Sequence, residues 1–274
     1  MSTLAAADRA RAHVYTRDEL DGHFAVLAER VFQVETKWPH FRQLLRDVRR
    51  LADTADEHMT VVSLERGLLY GGCSLLAPFF GHCDFLSVDC SPDSADHRGA
   101  YNQAMVDDPR FLFVPATHRA PIEATELGGG LADLVLVPNL VHHVADQPAL
   151  FAEMARITRP GGRVYVFEPT LRELHQIPDD YLRYTPYGMQ RTLREAGLRP
   201  GDFEVEGGPF SAVAYCWAQA LEYLPADQRE PMARWFYEEQ FPQLMDWDAR
   251  YADNLVREHT AFPMSFSMVA DKPA

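Results

Sequence analysis

His142 and His143 stand side by side, three residues after Asn139, where the apolar run Leu134-Val135-Leu136-Val137 gives way to polar sequence. A histidine near its ordinary pKa can accept a proton from a hydroxyl or amine, so either ring is a candidate general base. Packing of the loop is the simpler use for at least one of them. A metal reading has less behind it. No H-x-x-x-H spacing or carboxylate cluster accompanies the pair, and adjacent side chains at a strand-to-helix junction tend to point apart. Asp89 closes a second apolar run, Phe85-Leu86-Ser87-Val88. An acid in that place hydrogen-bonds ribose hydroxyls in nucleotide-binding α/β folds, or merely caps the following loop with Ser91-Pro92-Asp93. Further along, His175, Tyr181 and Tyr184 combine apolar area with polar tips, as residues lining a ligand pocket do. Asp180 and Arg183 have the spacing of a local ion pair if their segment forms a helical turn.

These residues need elements to hold them, and the stretch 132–169 supplies the plainest set. Residues 134–137 are short, apolar and rich in β-formers, as in a strand buried on both faces of a parallel sheet. Asp146 can cap a helix, Pro148 suits its first turn, and Leu150, Phe151, Met154 and Ile157 recur on one helical face. Pro160-Gly161-Gly162 then turns the chain into Val164-Tyr165-Val166-Phe167, completing β-α-β. Upstream, residues 16–55 carry two helical patterns interrupted near Pro39, where Tyr15, His23, Trp38 and His40 could reach a ligand or simply pack a helical cap. Residues 60–64 form a natural first strand, 73–80 a helix, 85–89 a second strand, 94–106 a helix and 110–114 a third strand. Gly128-Gly129-Gly130 precedes a strand instead of joining a strand to a helix, so it reads as a connection and not as a phosphate cradle. After 132–169 come a helix at 189–196 stopped by Gly197, a strand at 203–206, and a long aromatic-rich helical insertion at about 211–260. The run 264–270 is the last strand.

Composition narrows the partners. The chain has 274 residues and a formal net charge of −14 without a Lys/Arg-dense run, which speaks against nucleic acid and against an anionic membrane surface. A small molecule is the expected partner. No apolar stretch is long enough to span a bilayer, and the N-terminus carries charges where a signal peptide needs an apolar centre, so a cytoplasmic location is expected. Cys73, Cys83, Cys90 and Cys216 form no C-x-x-C pair and read as buried free thiols.

The motifs D-L-V-L, L-V-H-H-V-A-D and R-I-T-R-P-G-G-R-V-Y-V resemble the middle motifs of class I S-adenosylmethionine-dependent methyltransferases. The resemblance implies an α/β fold: a doubly wound, mostly parallel seven-stranded sheet, here with an N-terminal helical cap (1–55) and a methyltransferase-like domain (56–274). It also implies methyl transfer from S-adenosylmethionine to an oxygen, nitrogen or carbon nucleophile of a small molecule. In that family a Gly-rich loop follows the first strand. Ser63 and Glu65 stand where the pattern has its acid and first glycine, and Gly67 matches the second. By resemblance, Glu65 replaces the missing acid and takes the ammonium of the donor's methionine part; the alternative is that Arg66 signals an anionic ligand instead. Asp89 holds the ribose, Thr117 or His118 replaces the acid facing the adenine, and Asn139 lies beside the transferred methyl. His143, His142 or Tyr181 then serves the acceptor. No metal is expected. Two other readings share the fold: an enzyme repurposed for lyase, cyclase or hydrolase chemistry, and a non-catalytic partner. The insertion could shape the acceptor pocket or build a homodimer interface.

Overall fold

A computed structural model describes residues 13–67, 72–90, 101–251 and 262–274, with side chains from residue 104 onward in the third segment. Nine strands and eight α-helices are labelled in chain order among the described residues. The main sheet has the order β5-β3-β1-β6-β7-β9-β8. Its strands are β1 (Thr60–Glu65), β3 (Asp84–Asp89), β5 (His118–Arg119), β6 (Ala132–Pro138), β7 (Thr158–Pro169), β8 (Arg199–Glu206) and β9 (Ser265–Asp271). β1 pairs parallel with β3 and β6, β3 with β5 and β6 with β7, whereas β9 runs antiparallel between β7 and β8. The chain runs outward from β1 through β3 to β5, then returns to β6 on the other side. The strand order therefore switches between β1 and β6, the place where open α/β sheets leave a ligand crevice at their carboxyl ends.

Successive strand side chains alternate between faces, so the central strands feed two cores. Val61, Leu134, Leu136, Tyr165 and Phe167 join one core with α1 (Arg17–Val26) and α2 (Phe41–Thr54). Val62, Leu64, Val135, Val137, Val164 and Val166 join the other with α4 (Gln147–Ile157) and α5 (Pro186–Glu195). A buried polar seam ties α2 to the sheet. Tyr165 and Ser267 donate to the Asp47 carboxylate at 3.1 and 2.6 Å, and Ser265 donates to Gln43 at 2.8 Å. The insertion comprises α6 (Pro209–Leu221), α7 (Ala226–Trp235), a π turn and α8 (Phe241–Tyr251), with its own small core.

Three expectations are corrected. Residues 73–80 are not an α-helix: Cys73–Ser74 forms β2, pairing antiparallel with β4 (Val114–Pro115), and Ala77–Phe80 is a 3-10 turn. The third strand of the main sheet is His118–Arg119 and not 110–114, because Phe111 is buried against His23 and the Leu112 N–H donates to that ring. Cys216 is exposed, since it lies on the outer side of α6, while Cys73 and Cys83 are buried. The helix expected at 94–106 is seen as α3 (Tyr101–Val106); residues 68–71 and 91–100 lie outside the described residues. No helix among the described residues is long and apolar enough to cross a membrane.

Candidate active site

Glu65 and Asp89 are paired in register at the carboxyl ends of β1 and β3, and both are buried. Glu65 accepts from the Ser74 hydroxyl at 2.6 Å and the Leu75 N–H at 3.0 Å, which fixes the entry to β2. Burial pushes its carboxyl above the usual range. Gly67 follows immediately. A Cβ there would lie 2.9 Å from the Cys73 carbonyl oxygen and 3.4 Å from Asp89 Cγ, so this backbone packs against the Asp89 carboxylate as only glycine can.

Asn139 ends β6 in the left-handed region, with φ of 57°, a conformation its side chain tolerates better than most. Its N–H donates to the Phe167 carbonyl at 2.8 Å, while its Oδ1 is buried with no hydrogen-bond partner. The 3-10 turn Val141–His143 follows. Glu168, near the end of β7, secures this turn. One carboxylate oxygen receives the Leu140 and Val141 N–H groups at 2.7 Å each, and the other lies 2.6 Å from His142 Nδ1. Burial raises the Glu168 carboxyl and lowers His142, each away from its charged form.

His142 and His143 do not point apart. Their ring centroids are 4.0 Å from one another, and His175, from the loop after β7, joins them at 5.2 and 4.8 Å. In the 3-10 turn successive side chains are about 120° apart instead of pointing to opposite faces as in a strand, which lets these two rings meet. His143 donates through Nδ1 to the Asp179 carbonyl, and its Nε2 is buried without a partner. Burial, reinforced by the neighbouring His142, lowers His143 to about 2. Tyr181 is half exposed; its hydroxyl donates to Asp179 at 3.0 Å and its N–H to the His142 carbonyl at 2.9 Å. Asp180 and Arg183 form the expected ion pair, 2.9 Å apart, although their segment is not helical.

Two cavities meet here. A crevice of about 550 Å³ is lined by Asp89, Arg119, Pro121, Ile122, Val144 and Tyr181 among others, and a smaller pocket of about 50 Å³ by Glu65, Asn139, Gln176, Phe32 and Leu44. Arg66 and His143 border both. Thr117 lines neither. It is exposed, and it exchanges three hydrogen bonds of 2.9 to 3.1 Å with Ser87, continuing the sheet edge. His118 lies 3.0 Å from the Thr125 carbonyl. Tyr15, His23, Trp38 and His40 also stand away from both cavities. Glu168 was not assigned a role from sequence, although a charge closing the apolar run 164–167 was the available signal.

Residues 67–166 match the family model described as a methyltransferase domain. No curated protein matches the sequence. The fold is similar to that of phosphoethanolamine N-methyltransferase 2 from Haemonchus contortus, solved in complex with S-adenosyl-L-methionine, at 15% identity over 97% of this chain and 59% of that one, with a TM-score of 0.50. It is also similar to a SAM-dependent methyltransferase from Archaeoglobus fulgidus (14% identity, 84% and 94% covered, TM-score 0.46) and to the cyclase SpnF (14% identity, 97% and 100% covered, TM-score 0.48). At such identities the likeness is one of fold.

Proposed function

We propose that this chain, whose residues 67–166 match a methyltransferase domain, is a class I S-adenosylmethionine-dependent methyltransferase that methylates an oxygen, nitrogen or carbon nucleophile of a small molecule. The observation that carries the reading is the Asp89 carboxylate, buried at the end of β3, backed by Gly67 and forming part of the crevice wall. Two vicinal hydroxyls are what a carboxylate at that strand end accepts from.

The residues present fit the donor. Asp89 would hold the ribose, with Pro121 and Ile122 as an apolar wall beside it. Arg66 would meet the carboxylate of the methionine part. Glu65 and the unpartnered Asn139 Oδ1 are acceptors suited to its ammonium. An ammonium would also favour the ionised form of Glu65, which burial alone disfavours. Phe32 and Leu44 line the smaller pocket, which supports the N-terminal helices, within residues 1–55, as a cap over that end of the donor. Residues 56–274 are then the catalytic domain.

When bound, the donor supplies a methyl group already activated by its sulfonium, so the protein's task is chiefly to position the nucleophile. His143 borders the crevice as a neutral ring with a bare Nε2. So weak a base accepts a hydrogen bond more readily than a full proton, and it would orient an acceptor hydroxyl or amine. Tyr181 would contact the acceptor from the outer wall, while His142 would act through the turn it anchors.

Calorimetric titration with S-adenosylmethionine and S-adenosylhomocysteine tests the donor site. Micromolar-range binding, roughly −8 kcal/mol, is expected. In Asp89→Ala it should weaken by about 1–3 kcal/mol, the range for hydrogen bonds to a charged group. Absence of binding by the folded wild-type protein would overturn the reading.

A further inference from the structure

Three histidines remain arranged more closely than positioning an acceptor requires. His142 and His143 come from the 3-10 turn after β6 and His175 from the loop after β7, and one ring nitrogen of each lies within 4.8 Å of the others. We propose that His142, His143 and His175 form a binding site for one divalent transition-metal ion, zinc being the best match to three imidazoles with a fourth position left open.

Geometry carries the assignment. Each ring is held through Nδ1 by an acceptor outside the cluster: His142 by the Glu168 carboxylate at 2.6 Å, His143 by the Asp179 carbonyl, and His175 by the Glu173 carbonyl at 3.0 Å. Nε2 is therefore the nitrogen each ring has left. A metal-bound histidine is ordinarily anchored in this way, its second nitrogen donating to a carboxylate or carbonyl that fixes tautomer and orientation. His142 Nε2 and His175 Nε2 are 3.3 Å apart. Bonds of about 2.0–2.1 Å at a tetrahedral centre place ligand nitrogens at about that separation. His143 Nε2 is buried and has no hydrogen-bond partner. A proton relay from Glu168 through His142 to His175 would use two rings and leave that nitrogen unsatisfied, whereas an ion satisfies all three.

The surrounding charges do not forbid a cation. Arg183 is paired with Asp180 at 2.9 Å, Arg172 lies 3.2 Å from Glu173, and Arg66 lies 3.8 Å from Asp179. Glu168, behind His142, supplies a carboxylate to offset the ion's charge. Imidazole donors suit zinc, copper, nickel and iron, and a three-histidine zinc site keeps one position for water or a substrate. Because His143 borders the crevice, that position, in place of a direct hydrogen bond to His143 Nε2, would serve an acceptor carrying a hydroxyl, thiol or amine. This role rests on the methyl-transfer reading; ion binding does not.

Tag-free protein, stripped with a chelator and returned to buffer, would be titrated with Zn²⁺ against a chromophoric competitor and with Co²⁺ in the visible range, without donor or acceptor. One equivalent should bind per chain, with Co²⁺ giving the intense d–d bands of a tetrahedral site. Glu168→Gln should weaken binding about 10–100-fold, as loss of an outer-shell partner does. His143→Ala and His175→Ala, checked by circular dichroism for an intact fold, should weaken it further. His82→Ala, at a residue that lies before β3 with Nε2 3.3 Å from the Ala55 carbonyl and outside the cluster, should leave it unchanged. Absence of an equivalent in the wild type, or an equivalent retained in both folded alanine variants, would overturn the site. Neither result bears on S-adenosylmethionine binding, which is measured separately.

Discussion

His23 illustrates how completely a buried side chain can be engaged. Its Nε2 lies 3.0 Å from the Leu75 carbonyl, and its Nδ1 accepts from the Leu112 N–H at 3.1 Å, so only the neutral ring satisfies both. Burial lowers its pKa from 6.5 to about 4. Between those values the unfolded chain binds more protons than the folded one, so the stabilisation is full above pH 6.5 and is lost as pH falls through about 4. At about 1.4 kcal/mol per unit, the loss is at most about 3.5 kcal/mol. Urea unfolding at pH 7 and pH 4 should show the stability gap between wild type and His23→Gln narrowing by up to that amount; a constant gap would exclude the linkage. Gly67→Ala acts without titration. Its Cβ would meet backbone at 2.9 Å, which cannot swing aside, and a loss of roughly 1–3 kcal/mol is expected in thermal melts, together with weaker S-adenosylhomocysteine binding. Asp89 and Glu65 were legible as strand-end acids because their apolar runs stop at them. The convergence of His142, Glu168 and His175 was not, since it joins residues separated by 26 and 33 positions. Nor could sequence show that Thr117 would serve Ser87 instead of a ligand.

Among elements, α4 was legible nearly to the residue because its signals are local: Asp146 accepts from the Ala149 N–H at 3.0 Å and proline lies in the first turn. The third strand misled because residues 110–114 have strand composition, yet Phe111 packs with His23 instead of on the sheet face. The start of α6 shows a different limit. Its N-cap, Gly208, has no side chain to offer, and the free N–H groups of Gly208, Phe210 and Ser211 instead donate to the Asp248 carboxylate of α8 at 3.2, 3.1 and 2.5 Å. A carboxylate there also faces the positive end of the helix dipole. No local pattern announces a cap from 40 residues away. Asp248→Ala should destabilise the insertion by about 1–2 kcal/mol, the upper range for loss of a cap, with faster amide exchange at the start of α6. Asp248→Asn keeps an acceptor oxygen and should recover part of the loss. Equal loss in both variants would indicate that the carboxylate acts by charge and not as a cap.

Across the whole molecule, the β-α-β order was legible from short continuous apolar runs followed by a recurring helical face, and the doubly wound architecture from the resemblance of the middle motifs to class I methyltransferases. How firmly the outlying helices are joined to that sheet was not. The N-terminal helices contribute Leu44, Leu45 and Val48 to a sheet core and dock through the Asp47 and Gln43 seam. Removing α2 would therefore strand buried hydroxyls of Tyr165 and Ser267, and the helix should open only with the sheet. The insertion differs. Phe236, Phe241, Leu221, Ala214 and Ala218 form a cluster of their own, distinct from both sheet cores, and α7 buries no residue fully. Elements with few shared buried contacts open in separate, lower-energy steps. Native-state hydrogen exchange should accordingly show α6, α7 and α8 opening at a lower free energy than β1, β6 and β7, with α2 grouped with the sheet. Phe236→Ala, which removes the centre of the small cluster, should cost about 3–5 kcal/mol locally. It should speed exchange throughout the insertion while leaving β6 and β7 protection nearly unchanged. If protection of the sheet fell by the same amount, the insertion and sheet would be one cooperative unit.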